Sequence, residues 1–140
     1  MKTSVRAFTL IEILIVIAII AMLVGVLTKN ISGSYDSAQI KVARIFIQAG
    51  LRTSLDRYKI DVGSYPSTAE GLGALLAAPA NASSNWHGPY SEAEGGKLAV
   101  DPWGEPYQYR YPGTKNKTKY DLFSKGPDKT EGTEDDIGNW

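Results

Sequence analysis

The chain is organised around the segment FTLIEILIVIAIIAMLVGVL, which runs from Phe8 to Leu27. It contains no proline and a single charged side chain, Glu12. As a helix it would be about 30 Å long, which matches the hydrocarbon core of a bilayer. A carboxylate inside such a helix costs roughly 3 kcal/mol near the bilayer centre, so Glu12 needs a partner or a function. The segment therefore predicts a membrane-spanning helix over residues 8–28 that carries a functional acid.

A short basic leader, residues 1–7, precedes this segment and contains Lys2 and Arg6. The A-x-A pattern of a cleaved secretory signal is absent after Leu27. One interpretation is an uncleaved signal anchor with its positive side in the cytoplasm. The other is cleavage between Ala7 and Phe8, which would create an α-amino group at Phe8 as the cation that Glu12 needs.

The composition sets further limits on the chain. Its 140 residues favour one domain, residues 29–140, beyond the membrane segment. Fifteen basic and fifteen acidic side chains give a net charge of zero, and the basic residues are scattered, so nucleic-acid binding is not indicated. The sequence contains no cysteine, so no disulfide can stabilise this domain.

An amphipathic helix is predicted over residues 34–62, because apolar side chains recur there at intervals of three or four. No proline interrupts Phe8 to Tyr65, so we expect one long helix that ends near Gly63. We interpret the apolar stripe as a core surface that packs on a sheet. Its members are Ile40, Ala43, Ile47, Leu51, Leu55, Tyr58 and Val62.

The second half of the chain predicts loops followed by a small antiparallel sheet. In the loop region, residues 63–105, Ser67 and Glu70 have the spacing of a capping box before a short helix that contains three leucines, Leu72, Leu75 and Leu76, and stops at Pro79. Asp101–Gly104 has a type I turn pattern. Alternation over 106–111 and 119–124 predicts a hairpin, with Pro112–Gly113 at the centre of a type II turn. The fold class is therefore α+β, a long N-terminal helix packed on a small C-terminal antiparallel sheet.

Several side chains in this half could carry chemistry. The tyrosines at 107, 109 and 111 could form a platform for a sugar or an aromatic ligand, but packing of the sheet against the long helix is favoured. His87 has no adjacent acid or base partner, and Glu92 and Glu94 lie in a polar loop where solvation is favoured over catalysis.

The N-terminal motif Arg6-Ala7-Phe8-Thr9-Leu10-Ile11-Glu12 resembles the class III signal of type IV pilins and pseudopilins. The resemblance implies that a prepilin peptidase cuts before Phe8 and methylates its new amine. It also implies that Glu12 compensates the Phe8 amine of a neighbouring subunit in a filament. Ala7 replaces the usual glycine, and Ala21 and Lys29 stand where many relatives carry a helix-breaking glycine and proline.

Motifs in the second half resemble the major pseudopilin family of the type II secretion system. They are YPSTxxGL at 65–72, WHGPY at 86–90, DPWGxPY at 101–107 and SxGxD at 124–128. The resemblance implies a type IV pilin-like fold and a non-enzymatic subunit that polymerises into a pseudopilus. Its implied partners are copies of itself, minor pseudopilins, the prepilin peptidase and the inner-membrane secretion platform. Its implied location is the inner membrane, with residues 29–140 in the periplasm.

Carboxylates are concentrated in the tail, residues 128–136, and calcium prefers such hard oxygen ligands. The spacing does not match an EF-hand, and by spacing alone a solvated acidic loop is favoured. The family resemblance instead implies a Ca²⁺ site with side-chain ligands from Asp128, Asp135 and Asp136. Backbone carbonyls near Lys125, Thr130 and Thr133 would complete the shell.

Two alternative functions remain open from the sequence. A type IV pilin for adhesion or motility shares the N-terminal motif but lacks the series of motifs in the second half. A membrane-tethered hydrolase using Glu92 and Glu94 is the alternative from another class, and no nucleophile, base and oxyanion set supports it.

Overall fold

The structure is a computed structural model that describes residues 9–80 and 84–140; of the side chains of residues 26–35, which lie within the first helix, it describes none. The chain divides into two compact units, Met1–Ala38 and Gln39–Trp140.

The N-terminal half of the chain is helical from Leu10 to Val62. Helix α1 spans Leu10–Ile45, a π-helical segment spans Phe46–Leu51, and helix α2 spans Arg52–Val62. Gly63 ends α2 in the left-handed conformation, with φ of 96°, and its amide donates to the carbonyl of Lys59. A left-handed residue after the last turn favours glycine, so the predicted helix end at Gly63 is confirmed.

The π segment keeps the apolar stripe on one face of the helix. Ala43, Ile47, Leu51 and Leu55 are fully buried and succeed one another at intervals of four residues. In a regular α-helix such intervals drift around the axis by about 40° per step, because each residue turns about 100°. The wider i→i+5 winding of the π segment offsets this drift. The sequence pattern predicted the stripe but not the π segment.

The capping box predicted after the long helix is present. The Ser67 amide and hydroxyl donate to Glu70 Oε2 at 2.7 and 2.8 Å, and the Glu70 amide donates to Ser67 Oγ. The short helix that follows spans Gly71–Leu75 and is a 3₁₀ helix. This helix includes two glycines and buries only Ala74 and Leu75, so a short run with i→i+3 hydrogen bonds is enough to place both buried side chains.

Three short strands form one antiparallel sheet in the order β1-β2-β3. They span Gln108–Arg110, Asp121–Ser124 and Ile137–Gly138. Tyr109 is opposite Leu122, and Ser124 is opposite Ile137. The predicted hairpin is therefore confirmed, with shorter strands. The third strand was not predicted, because two residues after an acidic loop show no alternation.

The connection between β1 and β2 differs from the predicted type II turn. It is a longer loop, and Gly113 lacks the positive φ that the third position of a type II turn requires. The loop instead wraps around the Asp121 carboxylate, which lies 2.6 Å from where a Cβ on Gly113 would be. The buried acid, rather than the Pro112–Gly113 pair, determines the shape of this loop.

The core lies between the buried face of the helix, the 3₁₀ helix and the sheet, and several of its aromatic side chains pack edge to face. Tyr58 contacts Tyr90, and Tyr65 contacts Tyr120, with ring centroids 5.5 and 4.8 Å apart. Tyr107 is buried and stacks on Phe46. Tyr109 and Tyr111 are partly buried and pack against the core, so the prediction that these three tyrosines serve packing is confirmed.

Among the helices in the described ranges, none is both long enough and apolar enough to span a membrane.

Candidate functional site

Glu12 lies in the first turn of α1, where its carboxylate caps the helix. Its Oε2 accepts hydrogen bonds from the Thr9 amide at 2.9 Å and the Thr9 hydroxyl at 3.0 Å. The Glu12 amide donates to Thr9 Oγ1 in return, which completes a capping box. The sequence analysis missed Thr9, although its T-x-x-E spacing is the same signal that identified Ser67 and Glu70. Within its own chain, Glu12 thus has Thr9 as a hydrogen-bond partner.

The cleavage site predicted between Ala7 and Phe8 lies outside the described residues. Cleavage there, methylation of Phe8 and the pairing of Glu12 with an α-amino group therefore stay predictions.

The described residues that follow form an exposed apolar surface. Every residue from Thr9 to Gly25 is exposed in the isolated chain. The large side chains are among the most exposed, with Leu10 at 82%, Ile11 at 67% and Met22 at 74%. Contiguous apolar surface on this scale marks a protein or membrane interaction site rather than ordinary surface.

The tail loop, residues 125–136, connects β2 to β3 and closes on itself at Gly126. A Cβ on Gly126 would lie 2.2 Å from the backbone carbonyl oxygen of Asp135, so only glycine allows this approach. The predicted ligand positions 128 and 135 are thus on the two arms of one closed loop. Two ion pairs fasten the loop to the rest of the fold, Arg110 with Glu131 and Lys129 with Glu105.

The predicted carboxylate ligands differ in the hydrogen bonds that they already accept. Asp128 Oδ1 accepts from the Thr130 amide at 2.9 Å, and Asp136 Oδ2 accepts from the Gly132 amide at 2.8 Å. Asp136 Oδ1 is buried and has no hydrogen-bond partner. The Asp135 side chain is exposed.

The predicted carbonyl ligands are in the same loop. The carbonyl of Thr130 accepts from the Thr133 hydroxyl at 3.3 Å, and the carbonyl of Thr133 accepts from the Asp136 amide at 3.4 Å. Lys125 is half-buried and directly precedes Gly126. All six predicted ligand residues therefore lie between β2 and β3.

The tail loop offers both carbonyl and carboxylate oxygens, the ligand types that calcium prefers. Across the described ranges, no three histidine, aspartate or glutamate side chains are gathered as a metal-binding group. The lone buried oxygen of Asp136 nevertheless requires a partner, because an unsatisfied buried acceptor costs about 1–3 kcal/mol. Calcium accepts this kind of mixed and adaptable oxygen shell.

The residues considered for catalysis are dispersed on the surface. His87 is exposed, and its Nδ1 lies 2.5 Å from the carbonyl oxygen of Asn85. Glu92 and Glu94 are both exposed in the loop before β1. The tyrosine nearest to them, Tyr90, is buried and donates to Asp61 Oδ2 at 2.9 Å.

Comparisons with known proteins show the family to which the chain belongs. The family model described as type II secretion system (T2SS), protein G, matches residues 30–140, and the prokaryotic N-terminal methylation motif matches residues 2–28. The chain is 43% identical to the type II secretion system core protein G of Pseudomonas aeruginosa, over 95% of this chain and 93% of that one. It is 42% identical to the core protein G of Aeromonas hydrophila, over 99% and 94%.

A solved structure supports the same assignment. The crystal structure of the major pseudopilin from the type 2 secretion system of enterohaemorrhagic Escherichia coli matches with a TM-score of 0.66 and 37% identity. The match covers 77% of this chain and 87% of that one. The helix-on-sheet fold, the N-terminal motif and the sequence relatives thus agree, and the chain belongs to the protein G family of the type II secretion system, the family of its major pseudopilin.

Proposed function

We propose that this chain is a non-enzymatic structural subunit that polymerises from the inner membrane into a pseudopilus and so drives folded proteins across the outer membrane. The observation that carries the proposal is the continuous apolar exposure from Ile13 to Gly25 in a chain with the family's N-terminal motif. Apolar surface of this extent is stable only in a bilayer or against other copies of the same helix.

Processing precedes assembly in this proposal. A prepilin peptidase removes residues 1–7 and methylates the amine of Phe8, with Ala7 at the position before the cut. The basic leader, with Lys2 and Arg6, keeps the N-terminus cytoplasmic, so the domain of residues 29–140 is periplasmic. Minor pseudopilins and the inner-membrane secretion platform are the further partners.

Glu12 provides the test of assembly, because it has two possible roles. The capping box with Thr9 would make it a helix-capping residue. Assembly would instead require its carboxylate to pair with the Phe8 amine of a neighbouring subunit. Breaking an intramembrane charge pair is strongly destabilising, whereas losing a cap costs only about 0.5–2 kcal/mol.

We therefore expect Glu12→Val to insert into the membrane and to be processed, but to lose filament assembly and secretion. The measurement is secretion of a reporter enzyme, with filament recovery, in cells whose own protein G is deleted. Thr9→Val is the matched control, because it removes the capping hydroxyl and retains the carboxylate. Equal loss in both variants would indicate capping, and normal secretion by Glu12→Val would show that the carboxylate is dispensable.

The tail loop is proposed to bind Ca²⁺ through Asp128, Asp135 and Asp136, together with carbonyls of Lys125, Thr130 and Thr133. The unpartnered buried Asp136 Oδ1 supports this assignment. When bound, the ion would neutralise the carboxylates of the loop and stabilise the folded state by RT ln(1 + [L]/Kd), about 2.7 kcal/mol at a hundredfold excess over Kd.

Thermal unfolding tests the calcium proposal. We expect full-length protein in detergent micelles to melt several degrees higher in calcium than in excess chelator, since about 1 kcal/mol shifts the Tm by 2–8 °C. Asp128→Ala is expected to abolish the difference. Magnesium should substitute poorly, because it demands a tighter octahedron. Identical melting with calcium and with chelator would identify the tail as a solvated acidic loop.

A further inference from the structure

A buried carboxylate outside the tail loop reaches one end of that loop. Asp101 is 3% exposed and belongs to the turn before β1. Its Oδ1 accepts from the amides of Trp103 and Glu105 at 3.0 and 2.8 Å. Its Oδ2 accepts from the hydroxyl of Ser124 at 2.5 Å. Backbone bonds between Asp101 and Glu105, and between Gly104 and Asp101, close the turn around it.

Ser124 links Asp101 to the tail loop through two hydrogen bonds of its hydroxyl group. It is the last residue of β2 and is fully buried. Its Oγ donates to Asp101 and accepts from the amide of Gly126 at 3.1 Å. The direction of both bonds is fixed, because an ionised carboxylate can only accept and an amide N–H can only donate. The bond to a charged acceptor is also stronger than a neutral bond.

Gly126 is the point where the two arms of the tail loop meet. Its carbonyl accepts from the Lys129 amide at 3.3 Å, and its Cα faces the carbonyl of Asp135 too closely for a side chain. Lys125, whose carbonyl is a proposed ligand, lies between Ser124 and Gly126 in sequence. A shift of the Gly126 amide would therefore reorient the Lys125 carbonyl and move Asp128 relative to Asp135.

We propose that Asp101 and Ser124 are positioning residues for the cation-binding loop, which they hold in its binding geometry through the Gly126 amide. The inference rests on the proposed calcium site and assigns neither residue a contact with the ion. Removing a group that orients metal ligands typically costs about 10- to 100-fold in metal affinity.

The test is the calcium Kd of full-length protein in detergent micelles, measured by calorimetry for the wild type, Asp101→Asn and Ser124→Ala. Asn keeps the shape of Asp101 but presents an amide donor or a weaker neutral acceptor to Ser124. Ser124→Ala removes the bridge with little change in volume. We expect both variants to weaken calcium binding by about 10-fold or more.

Asp121→Asn is the matched control. Asp121 is also a buried aspartate on β2, at 1% exposure, but its carboxylate accepts hydrogen bonds from residues 114–116. We expect this variant to lower the Tm in chelator and to leave the calcium Kd within about twofold. A merely structural role of Asp101 would give the same result as this control.

Hydrogen exchange of the Gly126 amide in chelator provides a second, metal-free readout. The proposal requires faster exchange there in Asp101→Asn and Ser124→Ala than in Asp121→Asn. Wild-type affinity in both variants, with calcium still bound by the wild type, would overturn this inference alone. Absence of calcium binding by the wild type would overturn the calcium assignment and the inference with it.

Discussion

Asp121 shows how a single buried charge can hold a loop. Its carboxylate accepts hydrogen bonds from the amides of Thr114, Lys115 and Asn116, at 2.6 to 2.9 Å, and from the Thr114 hydroxyl. Burial by itself would raise the pKa of this carboxyl, but these bonds to its charged form outweigh burial and lower the pKa. The charged form is therefore part of the folded state.

Replacing Asp121 with Asn is expected to destabilise the fold by about 3 kcal/mol at pH 7, because hydrogen bonds to a buried charge are among the stronger ones. The pKa of Asp121 is lower in the folded state than in the unfolded state, where it is about 3.9. The ionised carboxylate therefore stabilises the fold at pH values above about 3.9, and this stabilisation is lost as the pH falls through the folded-state pKa. The difference between wild type and variant should therefore shrink below about pH 4. Urea unfolding at pH 7 and in acid measures it, and a pH-independent difference would contradict this assignment.

Residue roles that depend on short sequence spacing could be predicted, and those that depend on the fold could not. Ser67 and Glu70 form the predicted capping box because both partners lie within one turn. Asp101 and Ser124 are 23 residues apart and meet only once β2 lies beside the turn at Asp101–Gly104. The turn pattern thus identified Asp101 but not its link to the tail loop.

At the scale of elements, the π segment at Phe46–Leu51 reconciles an apolar repeat of four with a helix that winds at 3.6 residues per turn. It also brings Phe46 onto Tyr107, with ring centroids 5.1 Å apart. The periodicity of the sequence predicted which face is buried. It could not predict the local widening of the helix, because an apolar pattern indicates which side chains are buried and not which backbone groups are hydrogen-bonded to each other.

Deleting Gln48, an exposed residue of the π segment, should convert the segment to regular α-helix and retain the fold. The four buried residues of the stripe now follow one another at intervals of four residues. After the deletion the intervals would be four, three and four, a mixture that suits an α-helix. Deleting Arg57 from α2 is the control, because the residues on either side would then be rotated by about 100° relative to each other. Circular dichroism and thermal unfolding should show that the Gln48 deletion variant is folded and that the Arg57 deletion variant is disrupted. Equal disruption of the two variants would contradict the role of the π segment.

The elements of the tail show where sequence patterns fail. The hairpin of β1 and β2 was predicted because side chains alternate along both strands. Strand β3 has only two residues, Ile137 and Gly138, and pairs with β2 after the acidic loop. Its position depends on closure of that loop at Gly126, where glycine is required by the approach of Asp135.

At the scale of the whole molecule, the two units differ in whether their apolar side chains are buried within the chain. The unit Gln39–Trp140 contains the core cluster, which extends from Ala43 to Ile137, and buries it within one chain. The apolar side chains described between Thr9 and Gly25 are exposed in the isolated chain. A chain of the protein G family with this distribution requires a membrane or further copies to cover its N-terminal segment. Polymerisation is therefore the central claim of the proposed function.

The most direct test is the mass of the subunit isolated from sheared filaments of cells that express the secretion system. The proposal predicts a mature chain that lacks residues 1–7 and begins with N-methylated Phe8, since only cleavage before Phe8 creates the α-amino group that is proposed to pair with the Glu12 of a neighbour. Ala7→Leu should block the cut and should be absent from filaments. Filaments whose subunits mainly retain Lys2, or filaments that lack this chain, would contradict the account.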